Sequence, residues 1–180
     1  MFRFIAVFVA FLPLLVSAQG GLINWMTVEE AQAAQKKVPK KIMMDVYTHW
    51  CGPCKMLDAQ TFQNADVANY VNDNYYAVKF NAEHPAAINF KGKDYTNPTF
   101  DPTKSGRNGV HELSRALGVS AYPTIIFLDE ELNTISPVTG YKTAQQLELY
   151  LKFFHSNEYK TVTTKEQWQE YQKGFKPVFK

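Results

Sequence analysis

Cysteine is scarce in this sequence, with two residues among 180. They are Cys51 and Cys54, so a disulfide between them would close a ring across two intervening residues. A disulfide stabilises a fold more when it closes a longer loop, so this one would contribute little stability. A structural zinc site needs four ligands, but the four histidines are scattered and form no second closely spaced pair. We therefore expect no structural disulfide and no metal site, and the cysteine pair is a candidate for redox chemistry.

The sequence also lacks a strong excess of charge of either sign. It carries 19 lysines and arginines against 17 aspartates and glutamates, which gives a formal net charge of +2. This balance gives no reason to expect nucleic acid or an acidic membrane surface as a partner. Internal repeats and low-complexity runs are absent as well, while 13 phenylalanines and 10 tyrosines indicate a globular chain. At this length we expect one domain with a well-filled core.

Long hydrophobic runs are missing except at the amino terminus. There, Arg3 precedes an apolar run over residues 4–16, and Val16-Ser17-Ala18 is a small-residue cleavage signal. The run is short for a membrane span, and its flanks are those of a signal peptide. We predict that residues 1–18 are removed, that the mature chain begins at Gln19, and that the protein is exported to the periplasm or secreted. An uncleaved amino-terminal anchor is the alternative interpretation.

The most informative motif is Trp50-Cys51-Gly52-Pro53-Cys54-Lys55. An apolar stretch over residues 41–47 predicts a buried strand before it, and good helix formers over residues 55–60 follow it. Cys51 would then lie at the first turn of a helix, where unpaired N–H groups and the helix dipole favour an anion and lower the pKa of a thiol. Pro53 is favourable in this turn because a backbone N–H there would have no acceptor within the helix. The arrangement is a site for thiol–disulfide exchange.

This motif, placed after an apolar strand, resembles the active site of the thioredoxin superfamily. Asp45 lies six residues before Cys51, where the family keeps a buried carboxylate, and Lys79 lies where a lysine on the next strand approaches it. Tyr122-Pro123-Thr124 resembles the cis-proline loop of the family. The resemblance covers residues 25–154 and implies an α/β fold with a central mixed sheet flanked by helices. The segment ahead of the motif further resembles the exported branch related to the C-terminal domain of the membrane electron-transfer protein DsbD.

The resemblance also implies a role for each residue of the catalytic group. Cys51 would be the more exposed and more acidic thiol, and it would attack a disulfide in a partner protein. Cys54, buried one turn into the helix, would then attack the mixed disulfide and release the reduced partner. Asp45 would act through water as the base for Cys54, with its pKa raised by burial, and Lys79 would limit that rise. The alternative for Asp45 is a carboxylate at a strand end that is bonded to backbone.

A second group of residues would contact the partner. A cis peptide bond between Tyr122 and Pro123 would project backbone toward Cys51, so that a strand of the partner can pair there. Tyr122 departs from the small or branched residue that is common before this proline in thioredoxins, which leaves partner preference open. The substrate-binding residues implied by the resemblance are Trp50, Gly52, Pro53, Tyr122 and Pro123.

Residues 82–109 do not belong to a minimal thioredoxin domain, and we interpret them as an insertion within a domain at residues 19–156. Turn residues and a weak alternation of apolar and polar residues predict a small hairpin over residues 89–96. If the preceding strand runs parallel to the one that ends before Cys51, the insertion emerges beside that cysteine. A long loop of this kind either has a function or is a solvent-exposed segment without one, and the sequence leaves both interpretations open.

The last stretch, residues 157–180, predicts a C-terminal helical extension. Thr163 and Glu166 form a capping-box pattern, and Gly174 is placed to end the helix. A tail that binds a partner is one interpretation. We favour packing on the domain instead, because capping and apolar spacing agree, with contacts made by Trp168, Tyr171 and Phe175.

Among three hypotheses for function, the sequence favours a reductase. Gly52-Pro53 resembles the dipeptide of reducing thioredoxins, whereas strong oxidants of the superfamily often carry a histidine between the cysteines that stabilises the thiolate. We expect disulfide-containing proteins as partners, a membrane-bound electron donor, no cofactor beyond the Cys51–Cys54 disulfide, and a monomer. The alternatives are an oxidase or isomerase on the same scaffold, and a redox-sensing binding module whose insertion docks one dedicated partner.

Overall fold

The computed structural model describes residues 22–180. The predicted signal peptide, residues 1–18, lies outside the described residues. Within them, a five-stranded mixed sheet is flanked by helices and has a core on each face, which confirms the α/β, thioredoxin-like fold. No helix in this range combines the length and the apolar character needed to cross a membrane.

Two sheets are formed by the strands of the described range. The strands are β1 (Trp25–Met26), β2 (Ile42–Tyr47), β3 (Tyr76–Asn81), β4 (Ile88–Phe90), β5 (Lys93–Tyr95), β6 (Thr124–Leu128) and β7 (Thr134–Thr139). The main sheet has the order β1-β3-β2-β6-β7, with β2 parallel to β3 and antiparallel to β6. Its edges are β1, which is two residues long, and β7, which contains Pro137. The separate pair β4-β5 confirms the hairpin predicted within the insertion.

Six α-helices lie in the same range, namely α1 (Val28–Gln35), α2 (Gly52–Met56), α3 (Ala65–Asn74), α4 (Glu112–Ala116), α5 (Ala144–His155) and α6 (Lys165–Gly174). A π-helical turn, Leu57–Thr61, continues α2, and the chain leaves the helix at Phe62. The helix formers at residues 55–60 therefore do lie in helix, partly in the π-helical turn. A short 3₁₀ turn, Glu158–Lys160, precedes α6.

Alternation along β2 and β6 divides the core into two layers. Met43 and Phe127 face the layer covered by α3 and α5, together with Leu57, Val71, Leu147 and Leu151. Met44 and Ile126 face the opposite layer, together with Val28, Val78, Phe80 and Leu113. Both faces of these strands are buried, which explains why β2 reads as a continuous apolar run broken by one charged residue, Asp45.

Side-chain caps set the starts of α4 and α6. Helix α4 begins at Glu112 because the Nδ1 atom of His111 accepts the backbone N–H of Leu113 and caps the helix there. Helix α6 is capped by Thr164 with Gln167, so the predicted Thr163–Glu166 box was wrong by one residue. The later start is favoured because one side-chain oxygen of Gln167 accepts the backbone N–H groups of both Thr163 and Thr164.

The C-terminal extension packs on α5 through aromatic side chains and through one buried carboxylate. Trp168 and Tyr171 contact Phe153 of α5 at 4.8 Å between ring centres. Glu148 of α5 is fully buried, and its Oε2 atom accepts the backbone N–H groups of Val178 and Phe179 at 2.8 Å each. A buried carboxylate needs such donors to offset the loss of water, so Glu148 ties the end of the chain to the domain.

Replacing Glu148 with alanine should lower the free energy of unfolding by about 3 kcal/mol, because two backbone N–H groups and the Lys152 ammonium lose a buried acceptor. Urea unfolding at neutral pH measures the change. The matched control is Glu170→Ala on the exposed face of α6, which should change stability by less than about 0.5 kcal/mol. Equal effects of the two substitutions would show that Glu148 does not hold the extension.

Candidate active site

The two cysteines lie where β2 ends and α2 begins. Cys51 is the N-cap residue of α2 and Cys54 lies within its first turn, with 5.3 Å between their Cα atoms. They are joined in a disulfide, and the backbone N–H of Cys54 donates to the Sγ atom of Cys51 at 3.1 Å. When the pair is reduced, the same N–H faces the position of a Cys51 thiolate, which is the basis for the predicted lowering of its pKa.

The exposure predicted for Cys51 was wrong. Cys51 and Cys54 have the same fractional exposure, 2%. The physical reason is that the disulfide holds the two sulfurs together at the helix start, and the Cys51 sulfur is turned onto the backbone of Cys54. The exposed residues of the motif are instead Lys55 and the Gly52-Pro53 dipeptide between the cysteines. A partner would therefore contact this dipeptide as it approaches the sulfurs.

Asp45 and Lys79 lie directly opposite each other on β2 and β3. The Lys79 Nζ atom is 2.7 Å from Asp45 Oδ2, while Asp45 Oδ1 has no hydrogen-bond partner within residues 22–180. Burial raises the pKa of Asp45 to about 6, although Lys79 opposes the rise. Desolvation outweighs the ion pair because the carboxylate is almost wholly removed from water. The backbone-bonded alternative for Asp45 is not what the structure shows.

Asp58 completes this charge cluster, and the sequence analysis missed it. It lies on the π-helical turn after α2, and its Oδ1 atom pairs with the Lys79 ammonium. Burial lowers the pKa of Lys79, but the two carboxylates outweigh burial, so the net change is upward. Because Lys79 divides its charge between two acids, it neutralises Asp45 less completely. The available signal was spacing: Asp58 is four residues after Cys54, so the two share a helix face.

The insertion contacts the active site through Trp50. The indole Nε1 of Trp50 donates to Glu83 Oε1 at 2.8 Å, and the backbone N–H of Asn108 donates to the same oxygen at 2.7 Å. The Arg107 guanidinium carbon lies 4.4 Å from the centre of the Trp50 ring. Glu83 thus joins the residue before Cys51 to the far end of the insertion. The prediction that the insertion emerges beside Cys51 is confirmed by these contacts.

Glu83→Ala should loosen both segments, because two N–H donors lose their common acceptor. We expect the free energy of unfolding to fall by about 2 kcal/mol and the amide of Asn108 to exchange its hydrogen faster. Hydrogen exchange followed by NMR measures the second effect. The control is Glu83→Gln, which keeps a side-chain oxygen acceptor and should lose less than half as much. An unchanged exchange rate at Asn108 in the alanine variant would contradict this role of Glu83.

The peptide bond between Tyr122 and Pro123 is cis, and it lies at the entrance to β6. Thr124 pairs with Val46 near the end of β2, so this loop and Cys51 are at the same end of the sheet. The Tyr122 ring meets the Trp50 ring edge-on, with 5.9 Å between centres. The structure therefore places Trp50, the cysteine pair and the Tyr122-Pro123 loop at the same end of the sheet. Within residues 22–180 no three side chains of the His, Cys, Asp or Glu type are grouped as a metal site.

A mixed sheet of this order, with a cysteine pair at a helix start and a cis-proline loop at the same end of the sheet, is a thioredoxin-like arrangement. A family model described as a thioredoxin-like domain matches residues 28–155. The chain belongs to this thioredoxin-like family.

Known proteins support this assignment. Over 129 residues the chain is 28% identical to the thiol:disulfide interchange protein DsbD of Pectobacterium atrosepticum, which covers 71% of this chain. The chain spans only 18% of the length of that relative. Among solved structures, a thioredoxin-fold protein from Helicobacter pylori matches with a TM-score of 0.60 and 16% identity, covering 84% of this chain and 88% of that one. A thioredoxin from Thermus thermophilus matches with a TM-score of 0.55 and 14% identity, covering 74% and 88%. At these identities the two structures show the fold alone.

Proposed function

We propose that the protein is exported and reduces disulfide bonds in partner proteins. The observation that carries the proposal is the Cys51–Cys54 pair at the start of α2, with the buried Asp45 carboxyl in the adjacent strand. The two sulfurs are the redox groups themselves, so the reaction needs no bound cofactor. The predicted signal peptide supports export, and the similarity to a stretch of DsbD supports a place in disulfide exchange.

The reaction begins from the reduced pair. The Cys51 thiolate attacks one sulfur of the partner's disulfide, a bond forms between that sulfur and Cys51, and the other partner sulfur leaves as a thiolate that takes up a proton. Cys54 then loses its proton and attacks the Cys51 sulfur, which releases the second partner thiolate. Two electrons pass to the partner, and the protein is left with the Cys51–Cys54 disulfide.

Asp45 is the proposed acceptor for the Cys54 proton. Its pKa of about 6 lets the carboxylate exist at neutral pH and still bind a proton transiently. Lys79 and Asp58 set how strongly the proton is held, because the ammonium favours the Asp45 carboxylate and Asp58 draws part of that charge away. The orphaned Oδ1 atom of Asp45 is the oxygen left free to receive the proton.

Each turnover leaves an oxidised protein, so an electron donor is required. An exported compartment supplies no soluble reductant, and we propose a membrane-bound dithiol donor. The insertion favours one alternative, a redox-sensing module, because it is bonded to Trp50 through Glu83. Cys51→Ala separates the two ideas: it abolishes the action of a reductase but leaves that of a binding module.

The direction of electron flow is tested by the equilibrium reduction potential of the pair, measured against dithiothreitol and glutathione. A reductase should have a potential near that of thioredoxin, about −270 mV. A value near about −120 mV, as for strong oxidants, would overturn the reductase assignment and favour an oxidase or isomerase. Reduction of insulin with an added dithiol gives an independent check of the chemistry.

A further inference from the structure

Arg107 places an unpaired positive charge beside the active site. Its side chain is exposed, and its guanidinium stacks on the Trp50 ring. No carboxylate within residues 22–180 forms a salt bridge with it. A guanidinium presents a rigid fork of N–H donors that matches a carboxylate, so this fork can receive an acidic side chain from another molecule.

The loop that carries Arg107 is built to hold it in place. The Asn108 side chain accepts the backbone N–H of Asp101 at 2.8 Å and donates to the backbone oxygen of the same residue at 2.7 Å. The Asn97 amide donates to the backbone oxygen of Gly109 at 2.8 Å. A Cβ atom at Gly109 would lie 2.4 Å from the backbone carbon of Thr99, so the two arms of the loop pack too closely for any larger residue. Because the backbone beside Arg107 is held in this way, the loop loses little backbone entropy when Arg107 binds a partner.

Exposed basic side chains lie near the cysteines, although the whole chain is close to neutral. Lys55 follows Cys54 directly and is exposed, and Arg115 is exposed on α4. Burial and the Glu83 carboxylate raise the pKa of Tyr122, and Arg115 is close enough to oppose that rise. Glu83 is buried and accepts from two N–H donors, and the partly exposed Asp58 is paired with Lys79. A negatively charged segment would be attracted by these basic side chains and by Arg107.

We propose that Arg107, Trp50 and Tyr122 form a docking face for an extended partner segment that carries an acidic side chain next to its reactive cysteine. The inference rests on the proposed function, because the partner's disulfide has to reach Cys51. The aromatic rings of Trp50 and Tyr122 contact the apolar part of the segment, and the Arg107 fork binds its carboxylate through two parallel hydrogen bonds. The insertion thereby selects partners by charge.

Two synthetic disulfide peptides that differ in one residue beside a cysteine, glutamate in one and lysine in the other, test the docking face. The reduced full chain should react with the glutamate peptide about five- to tenfold faster at low salt, and the preference should shrink at about 1 M salt. In Arg107→Gln the ratio of the two rates should fall to about one, and Arg107→Glu should reverse it. Lys104→Gln is the matched control, because it removes the same charge from the same loop and should keep the preference.

A binding experiment separates this inference from the proposed function. The same peptides with serine in place of cysteine cannot exchange, and their binding to the oxidised protein is followed by the NMR signal of the Trp50 indole N–H. Tighter binding of the glutamate peptide that depends on Arg107 supports the docking face. If neither disulfide peptide is reduced in that case, the proposed function is overturned and the docking face stands. The docking face would be overturned by equal rates and equal binding of both peptides. It would also be overturned if Lys104→Gln lost the preference for the glutamate peptide as fully as Arg107→Gln does. Reduction of both peptides would leave the proposed function standing in either case.

Discussion

Cys54→Ser should stop the reaction halfway and trap the partner. Cys51 can still attack, but no second thiol is available to break the bond between Cys51 and the partner sulfur. We expect turnover of insulin to fall at least about a thousandfold, because a reacting sulfur is lost. A mixed disulfide should accumulate, and it is visible as a band of higher mass on a non-reducing gel.

Cys51→Ser is the control for this trap. It removes the attacking sulfur, so it should lose turnover to the same extent without forming any mixed disulfide. Trapping by Cys51→Ser instead of Cys54→Ser would exchange the roles of the two cysteines. Turnover by Cys54→Ser at the rate of the unaltered protein would show that the second thiol is not needed.

Asp45→Asn should make the protein more stable and slower. The pKa of Asp45 is raised from 3.8 to about 6, so its carboxyl group holds a proton more tightly in the folded protein than in the unfolded chain. Its contribution therefore favours folding most at low pH, and stability is lost as the pH rises from about 4 through about 6. At pH 8 the buried charge costs about 2–3 kcal/mol, which asparagine removes.

Urea unfolding at pH 8 and pH 4 measures this effect, and the gain should be present at pH 8 and nearly absent at pH 4. The release of the partner should slow by about a hundredfold or more, since Cys54 loses its proton acceptor. Asp73→Asn, at an exposed position on α3, is the control and should change neither quantity. A less stable Asp45→Asn at pH 8 would mean that the ion pair with Lys79 outweighs desolvation.

The sequence allowed the strands and the central motif to be predicted because their signals are local. The apolar run of β2, the helix formers after Cys54 and the turn residues of the β4-β5 hairpin each act over a few residues. Even Asp45 and Lys79 could be paired, since the resemblance to thioredoxins supplied the pairing and strand register fixed it.

Contacts that depend on exact backbone paths could not be predicted in this way. Asp58 reaches Lys79 from the π-helical turn, and its spacing from Cys54 indicates a shared helix face but does not predict that turn. Glu83 joins Trp50 to Asn108 across an insertion of irregular shape, and no periodicity describes such a loop. The exposure of Cys51 was misjudged because it depends on how the disulfide is oriented in the folded protein.

The edges of the main sheet limit how the protein can pair with the backbone of another chain. An extended segment of another chain can add itself to a long open edge strand, and repeated additions lead to aggregation. Here one edge strand is two residues long, and the other, β7, carries Pro137, which has no N–H to offer a new neighbour. The segment that leads to Trp168 runs alongside β7 across a cleft of about 540 Å³. If a partner strand pairs at the cis-proline loop as proposed, the edges of the main sheet give its backbone no long open strand on which aggregation could start.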